Sequence, residues 1–185
     1  MDDSQILALF NARSEQAIAE LEKTHGRSVK KMIQNILGNA QDTEECESDT
    51  YWIIWNQIPP QVPQSLRAFA CGIARNTALD RYRANTAKKR NSFYDAALEE
   101  LEDSIPALQT VETEYEAKEL AGLISAFLKK QRYDDRYAFV RRYYYADSVT
   151  DIARQMGVTP HRISVRLFRI RSKLQDYLGK EGYLL

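Results

Sequence analysis

The sequence predicts an all-α protein made of two small helical domains joined by an acidic linker. Three observations carry this. Apolar residues recur at three- and four-residue spacing almost throughout, and no stretch alternates over the length of a strand. Prolines and glycines fall between the periodic segments. Charge is sorted into blocks: the 185-residue chain is formally neutral, yet its cations and anions occupy different stretches.

Ile6, Leu7, Leu9 and Phe10 make a first short helix. Ser14 is placed to cap a longer one carrying Ala17, Ile18, Leu21, Val29, Ile33 and Ile36 toward Gly38-Asn39, with Gly26 as a point of interruption. Asp42-Thr43-Glu44-Glu45 resembles a capping box and opens a helix to about Gln57. The segment Ile58 to Gln64 holds three prolines, which remove donors and force extended neighbours, so it cannot be helical. Ser65 then caps a basic helix. From Leu66 to Arg90 seven bases (Arg67, Arg75, Arg81, Arg83, Lys88, Lys89, Arg90) face one acid, Asp80.

From Asp95 to Glu119 the balance reverses, with nine acids against Lys118 alone. The mixed pattern there, with Pro106, reads as a linker over 93–113 with little core of its own. A second domain, 114–185, opens with a helix to about Lys130 and continues with one from Asp134 or Asp135 to Tyr145. Two further helices follow, divided at Gly157. Between Arg136 and Lys173 nine bases stand against Asp147 and Asp151. The neutral total therefore hides two cationic surfaces separated by an anionic stretch.

Ser148 to Arg162 has the spacing of a helix-turn-helix. Ile152, Ala153 and Met156 pack a first helix, Gly157 supplies a left-handed turn residue, Thr159 caps, and Pro160 suits the first position of the next helix. At about 100° per residue Ile163, Leu167, Ile170, Leu174 and Leu178 form one stripe against the core. His161, Ser164, Val165, Phe168 and Ser172 point the other way, flanked by Arg162, Arg166, Arg169 and Lys173. A solvated face has little use for an outward Phe and Val. A helix in the major groove uses apolar groups against thymine methyls and arginines against guanine or phosphate. This pattern predicts duplex DNA binding.

In the Asp42 to Gln57 helix, Tyr51, Ile54, Trp55 and Ile58 share a core face, and Glu45, Asp49 and Trp52 the opposite one. An outward Trp beside two carboxylates fits a protein contact, because aromatic anchors dominate interfaces.

Other classes find little support. Cys46 and Cys71 lack CxxC spacing and a neighbouring histidine, so neither a zinc site nor a disulfide framework is expected. Glu22-Lys23-Thr24-His25 matches half of a di-metal bundle site, but such a site needs two halves and the other histidine, His161, lies in the turn. With no phosphate loop or nucleophile elbow, no enzyme, cofactor, metal or catalytic residue is expected. No apolar run approaches the roughly 18 residues needed to cross a bilayer, and Met1-Asp2-Asp3-Ser4-Gln5 does not resemble a signal peptide, so a cytoplasmic protein is expected.

The motifs taken together resemble the extracytoplasmic-function (group IV) sigma factors, which keep regions 2 and 4 of the sigma-70 family. Ile36-Leu37-Gly38, Asp42 to Trp55, Ser65 to Phe69 and Gly72 to Arg83 resemble region 2; Ser148 to Leu174 resembles region 4. The chain departs from the family pattern at Glu45 (usually Asp), Cys46 (Leu), Asp49 (Gln), Phe69 (Trp) and His161-Arg162 (Gly-Thr).

The resemblance implies that 1–92 binds core RNA polymerase and the minus-ten element, with 114–185 reading the minus-thirty-five element. Glu45, Cys46, Asp49 and Trp52 would dock on the beta-prime clamp helices, the beta subunit being a further contact. Gln61, Gln64, Arg67, Arg75, Asn76, Arg81 and Arg83 would hold the melted minus-ten strand. Ser164, Val165, Phe168 and Arg169 would meet bases of promoter DNA, and Arg162, Arg166, Arg171 and Lys173 its phosphates, with His161 at the turn. An anti-sigma factor is a further partner the resemblance allows. The rival reading is a stand-alone helix-turn-helix regulator with an N-terminal dimerisation or sensing domain.

Overall fold

A computed structural model describes residues 1–85, 92–105 and 114–182. Lys88, Lys89 and Arg90 of the basic block, the 106–113 part of the acidic stretch, and Tyr183 to Leu185 lie outside the described residues. The chain forms two compact units, Met1–Ser92 and Phe93–Leu185. Among the described residues every regular element is helical.

The first unit packs α1 (Asp3–Asn11), α2 (Gln16–Leu37), α3 (Ala40–Gln57) and α4 (Leu66–Ala84). Its core is Ile6, Phe10, Leu21, Met32, Ile33, Ile36, Ile54, Ile58 and Leu66. Gly38 ends α2 in the left-handed conformation at φ 69°. Expectation and structure differ at the next cap. Asn39, rather than Asp42, caps α3, its side chain accepting from the Asp42 amide. Asp42 is left inside the first turn, where its charge complements the helix dipole.

Gly26 does not interrupt α2, which runs unbroken past it. It is buried, and a Cβ there would stand 3.0 Å from the Tyr51 hydroxyl of α3. The glycine permits close helix packing. Ser65 caps α4 through the Ala68 amide as its position predicts, and α3 stops at Gln57 before the prolines.

The second unit holds α5 (Phe93–Ser104), α6 (Glu114–Lys129), α7 (Tyr133–Phe139) running into a π-helical turn (Val140–Tyr144), α8 (Val149–Met156) and α9 (Pro160–Lys180). The stretch read as linker thus begins with a helix belonging to this unit. Ala97 and Ile105 are buried in its core, and Leu101 packs against it. Spaced by four, these three form an apolar stripe on α5. Five acids in the same twelve residues mask that stripe in a reading by charge.

Leu120, Phe127, Ala138, Phe139, Tyr143, Ile152, Ala153, Ile163, Leu167, Ile170, Leu174 and Leu178 complete the core. Gly157 is left-handed at φ 64°. Thr159 accepts from the Arg162 amide, and Pro160 opens α9. No helix among the described residues is long and apolar enough to cross a membrane.

Candidate polymerase and nucleic-acid interfaces

On α3 the predicted outward face is present in part. Trp52 is 69% exposed, Glu45 and Asp49 are exposed with it, and Glu44 and Ser48 extend the face. Cys46 does not belong to it. At 1% exposure it is a core thiol and cannot reach a partner, because one residue past Glu45 the helix has turned by about 100° and the side chain points into the unit. Burial pushes its thiol up to about 11, with Asp49 and Asp42 adding to the rise and Arg81 opposing it.

The cationic set on α4 is divided by its neighbours. Arg81 donates to Glu45 of α3 at 2.7 Å, and close by Asn85 donates to Asp42 at 3.0 Å. Arg81 therefore ties two helices together before it can serve a strand of DNA. Arg67 is exposed in the first turn and Arg75 half-buried. Asn76 and Arg83, seven residues apart, share the face opposite Ala70, Ala74 and Ala78, and Arg83 pairs with Asp80 at 3.3 Å. Half-buried Phe69, seven residues before Asn76, shares that face. A search for cations passes over Phe69, although an aromatic at that spacing from Asn76 is the signal of a stacking platform. Gln61 and Gln64 are exposed on the loop before α4.

In the second unit α9 buries Ile163, Leu167, Ile170, Leu174 and Leu178. Phe168 is left 65% exposed, beside exposed Ser164 and Arg169 and half-buried Val165. A groove of about 710 Å³ runs along the flank of this face, lined by Val165 and Arg169 but not by Ser164 or Phe168; Arg132, His161, Arg162, Arg169 and Lys173 supply its positive and polar wall, and Asp134 and Asp135 an acidic one. Arg132, just before α7, is missing from the sequence-derived set. It lies outside the basic block counted from Arg136, and only the fold brings it beside α9.

Two of the arginines expected at phosphates are otherwise engaged. Arg166 lines the groove but donates to Asp135 at 2.9 Å and stands 3.5 Å from Asp134, so its charge is largely offset. Arg171 is 13% exposed. It donates to Ser104 Oγ at 2.9 Å and to the Tyr143 hydroxyl at 2.5 Å, and its guanidinium lies 3.4 Å from Glu100. It is an internal residue of the unit and is withdrawn from the DNA-contacting set. Its helical position, about 60° from the centre of the core stripe, leaves either role open until α5 is seen to cover it.

This is an all-α chain that joins a helical unit with an exposed Trp and acidic face to a helix-turn-helix with a cationic groove. The family model described as Sigma-70 region 2 matches residues 21–88, from within α2 to just past α4, so this part of the chain is similar to that region. A solved structure described as "Structure of CnrH in complex with the cytosolic domain of CnrY" aligns at 20% identity over 96% of this chain and 97% of that one, with a TM-score of 0.45. No curated protein matches the chain in sequence.

Proposed function

We propose that the chain is a group IV sigma factor that binds core RNA polymerase and directs promoter-specific transcription initiation. The observation that carries this reading is the pairing, in one chain, of a part similar to sigma-70 region 2 (residues 21–88) with a helix-turn-helix whose α9 groove is cationic. A reader of duplex DNA alone needs no such region.

Each surface then has a task. Trp52, with Glu45 and Asp49, anchors the chain on the beta-prime clamp helices, a buried aromatic supplying affinity and the rim carboxylates orientation. On α4, Asn76 and Phe69 hold a splayed base of the minus-ten element while Arg67, Arg75 and Arg83 follow the strand's backbone with Gln61 and Gln64 of the preceding loop. α9 lies in the major groove at the minus-thirty-five element, where Ser164, Val165, Phe168 and Arg169 meet base edges and His161, Arg162 and Lys173 the backbone. The beta subunit and an anti-sigma factor are further partners, and the work is done in the cytoplasm without a catalytic group or cofactor of the chain's own.

Run-off transcription with purified core polymerase on promoter-bearing templates tests the reading. Start-site-specific transcripts that require the chain are expected. Their absence, together with tight binding of the free chain as a dimer on a two-fold duplex site, would instead establish the stand-alone regulator.

A further inference from the structure

One carboxylate in the second unit gathers more partners than its place in an acidic stretch would suggest. Glu100 of α5 lies on the same helix face as Ala97, Leu101 and Ser104, the face turned into the unit. It accepts from Arg142 Nη2 at 2.6 Å and Nε at 3.3 Å, and from the Tyr143 hydroxyl at 3.1 Å, with Arg171 Nη1 at 3.4 Å. Arg142 and Tyr143 belong to the π-helical turn after α7; Arg171 belongs to α9.

The remaining contacts close the ring. Arg142, 4% exposed, donates through Nη1 to the Asp147 carbonyl at 3.0 Å, one residue before the Ser148 cap of α8. Arg171 donates to Tyr143 Oη, which donates onward to Glu100. Tyr143 is the neutral member of the chain, since burial raises its hydroxyl well above the ordinary tyrosine range. Glu100 thus reaches the segment that leads into α8 and the flank of α9, the two helices of the helix-turn-helix.

We infer that Glu100 is a positioning residue for DNA recognition: α5 clasps α9 to the π-helical turn and fixes the rotation of α9 about its own axis. The inference rests on the proposed role of α9 in reading duplex DNA. Its physical basis is the difference between the two kinds of anchor that α9 has. The apolar stripe from Ile163 to Leu178 is non-directional and tolerates small rotations and slides. The Arg171 contacts to Glu100, Ser104 and Tyr143 are directional and set on one flank. Base readout by Ser164, Phe168 and Arg169 needs the helix held within a fraction of an ångström, whereas backbone attraction by Arg162 and Lys173 does not.

The test uses the full chain and two duplexes: one selected from a random pool by the wild-type protein, and a scrambled duplex of the same length. Glu100→Gln is expected to lower the selected-to-scrambled affinity ratio about tenfold while leaving scrambled-duplex affinity and its salt dependence within twofold, because the groove cations remain. Glu100→Asp, which keeps the charge, should recover part of the ratio. Arg171→Gln leaves the Glu100–Arg142 pair in place, and it should reproduce the loss even if Glu100→Gln fails to fold. An unchanged ratio in Arg171→Gln, or tighter binding in Glu100→Gln as if α5 were a screen against DNA, would overturn the inference. If the wild-type chain selects no duplex, the DNA-reading role of α9 fails first and the inference falls with it.

Discussion

Arg81 of α4 and Glu45 of α3 form an ion pair at 2.7 Å that links the candidate DNA-binding helix to the candidate polymerase-binding face. Both side chains are partly exposed, 33% and 49%, so solvent screens the pair. A double-mutant cycle with Arg81→Gln and Glu45→Gln should give a coupling energy below about 1 kcal/mol, smaller still at about 0.5 M salt. A larger transcription defect in Arg81→Gln would then report a lost DNA contact rather than a loosened fold.

Trp52 has no packing role to lose, being exposed on a helix whose buried residues point the other way. Trp52→Ala combined with Asp49→Lys should abolish co-purification with core polymerase and leave the melting temperature within about 2 °C of wild type, as expected of surface substitutions. Undiminished co-purification would remove this face from the polymerase interface.

The cations of α9 should separate into three kinds of behaviour. Arg169→Ala should cost about 1–3 kcal/mol at particular base pairs, and Lys173→Ala should weaken all sequences evenly and lower the salt slope by about one. Arg166→Ala should change the salt slope less than Lys173→Ala, because Asp135 and Asp134 already offset its charge. Equilibrium binding to promoter variants at several salt concentrations distinguishes the three, and identical profiles would refute the sorting.

Features written in local rules were legible in the sequence. The Ser65 and Thr159 caps, left-handed Gly157, Pro160 at the start of α9 and the exposed Phe168 each depend on a residue and its near neighbours, where capping and helical period decide. What was not legible depends on what covers what. Cys46 is one residue from Glu45 yet is buried. Arg171 looks like any arginine of a basic stripe until α5 is laid over it, and Arg132 joins the groove only because α7 meets α9. The acids of α5 made it read as linker, although its Ala97, Leu101 and Ile105 stripe was present and outvoted by charge.

The contact of Gly26 with Tyr51 sets two effects against each other. Alanine in a helix interior gains about 1 kcal/mol over glycine, but a Cβ here meets Tyr51 Oη at 3.0 Å and Glu22 Cγ at 3.1 Å. Glu22 is exposed and can give way; Tyr51 is 8% exposed and fixed, and overpacking of that kind costs about 1–3 kcal/mol. Gly26→Ala should therefore destabilise the first unit by about 1 kcal/mol. Gly26→Ala with Tyr51→Phe, which removes the opposing oxygen, should be at least as stable as Tyr51→Phe alone. Tryptophan fluorescence reads this unit selectively, since Trp52 and Trp55 are the chain's two tryptophans.

The same fluorescence follows the pH response of the Cys46 thiol. An unfolded cysteine ionises near 8.5, whereas burial holds the folded thiol neutral up to about 11. Between those values the unfolded chain loses a proton that the folded unit keeps, so the contribution is fully present below about pH 8.5 and is lost as pH rises through about 11. Each pH unit between the two ionisations is worth about 1.4 kcal/mol, so the loss attributable to this group is at most about 4 kcal/mol. Other groups also titrate there, the buried Tyr51 hydroxyl among them, so the informative quantity is the difference between wild type and Cys46→Ala. Urea unfolding should find the variant less stable at neutral pH by the lost packing, with the gap narrowing or reversing as pH approaches about 10.5. A gap constant across that range would mean that the thiol ionises with the same ease in the folded unit as in the unfolded chain.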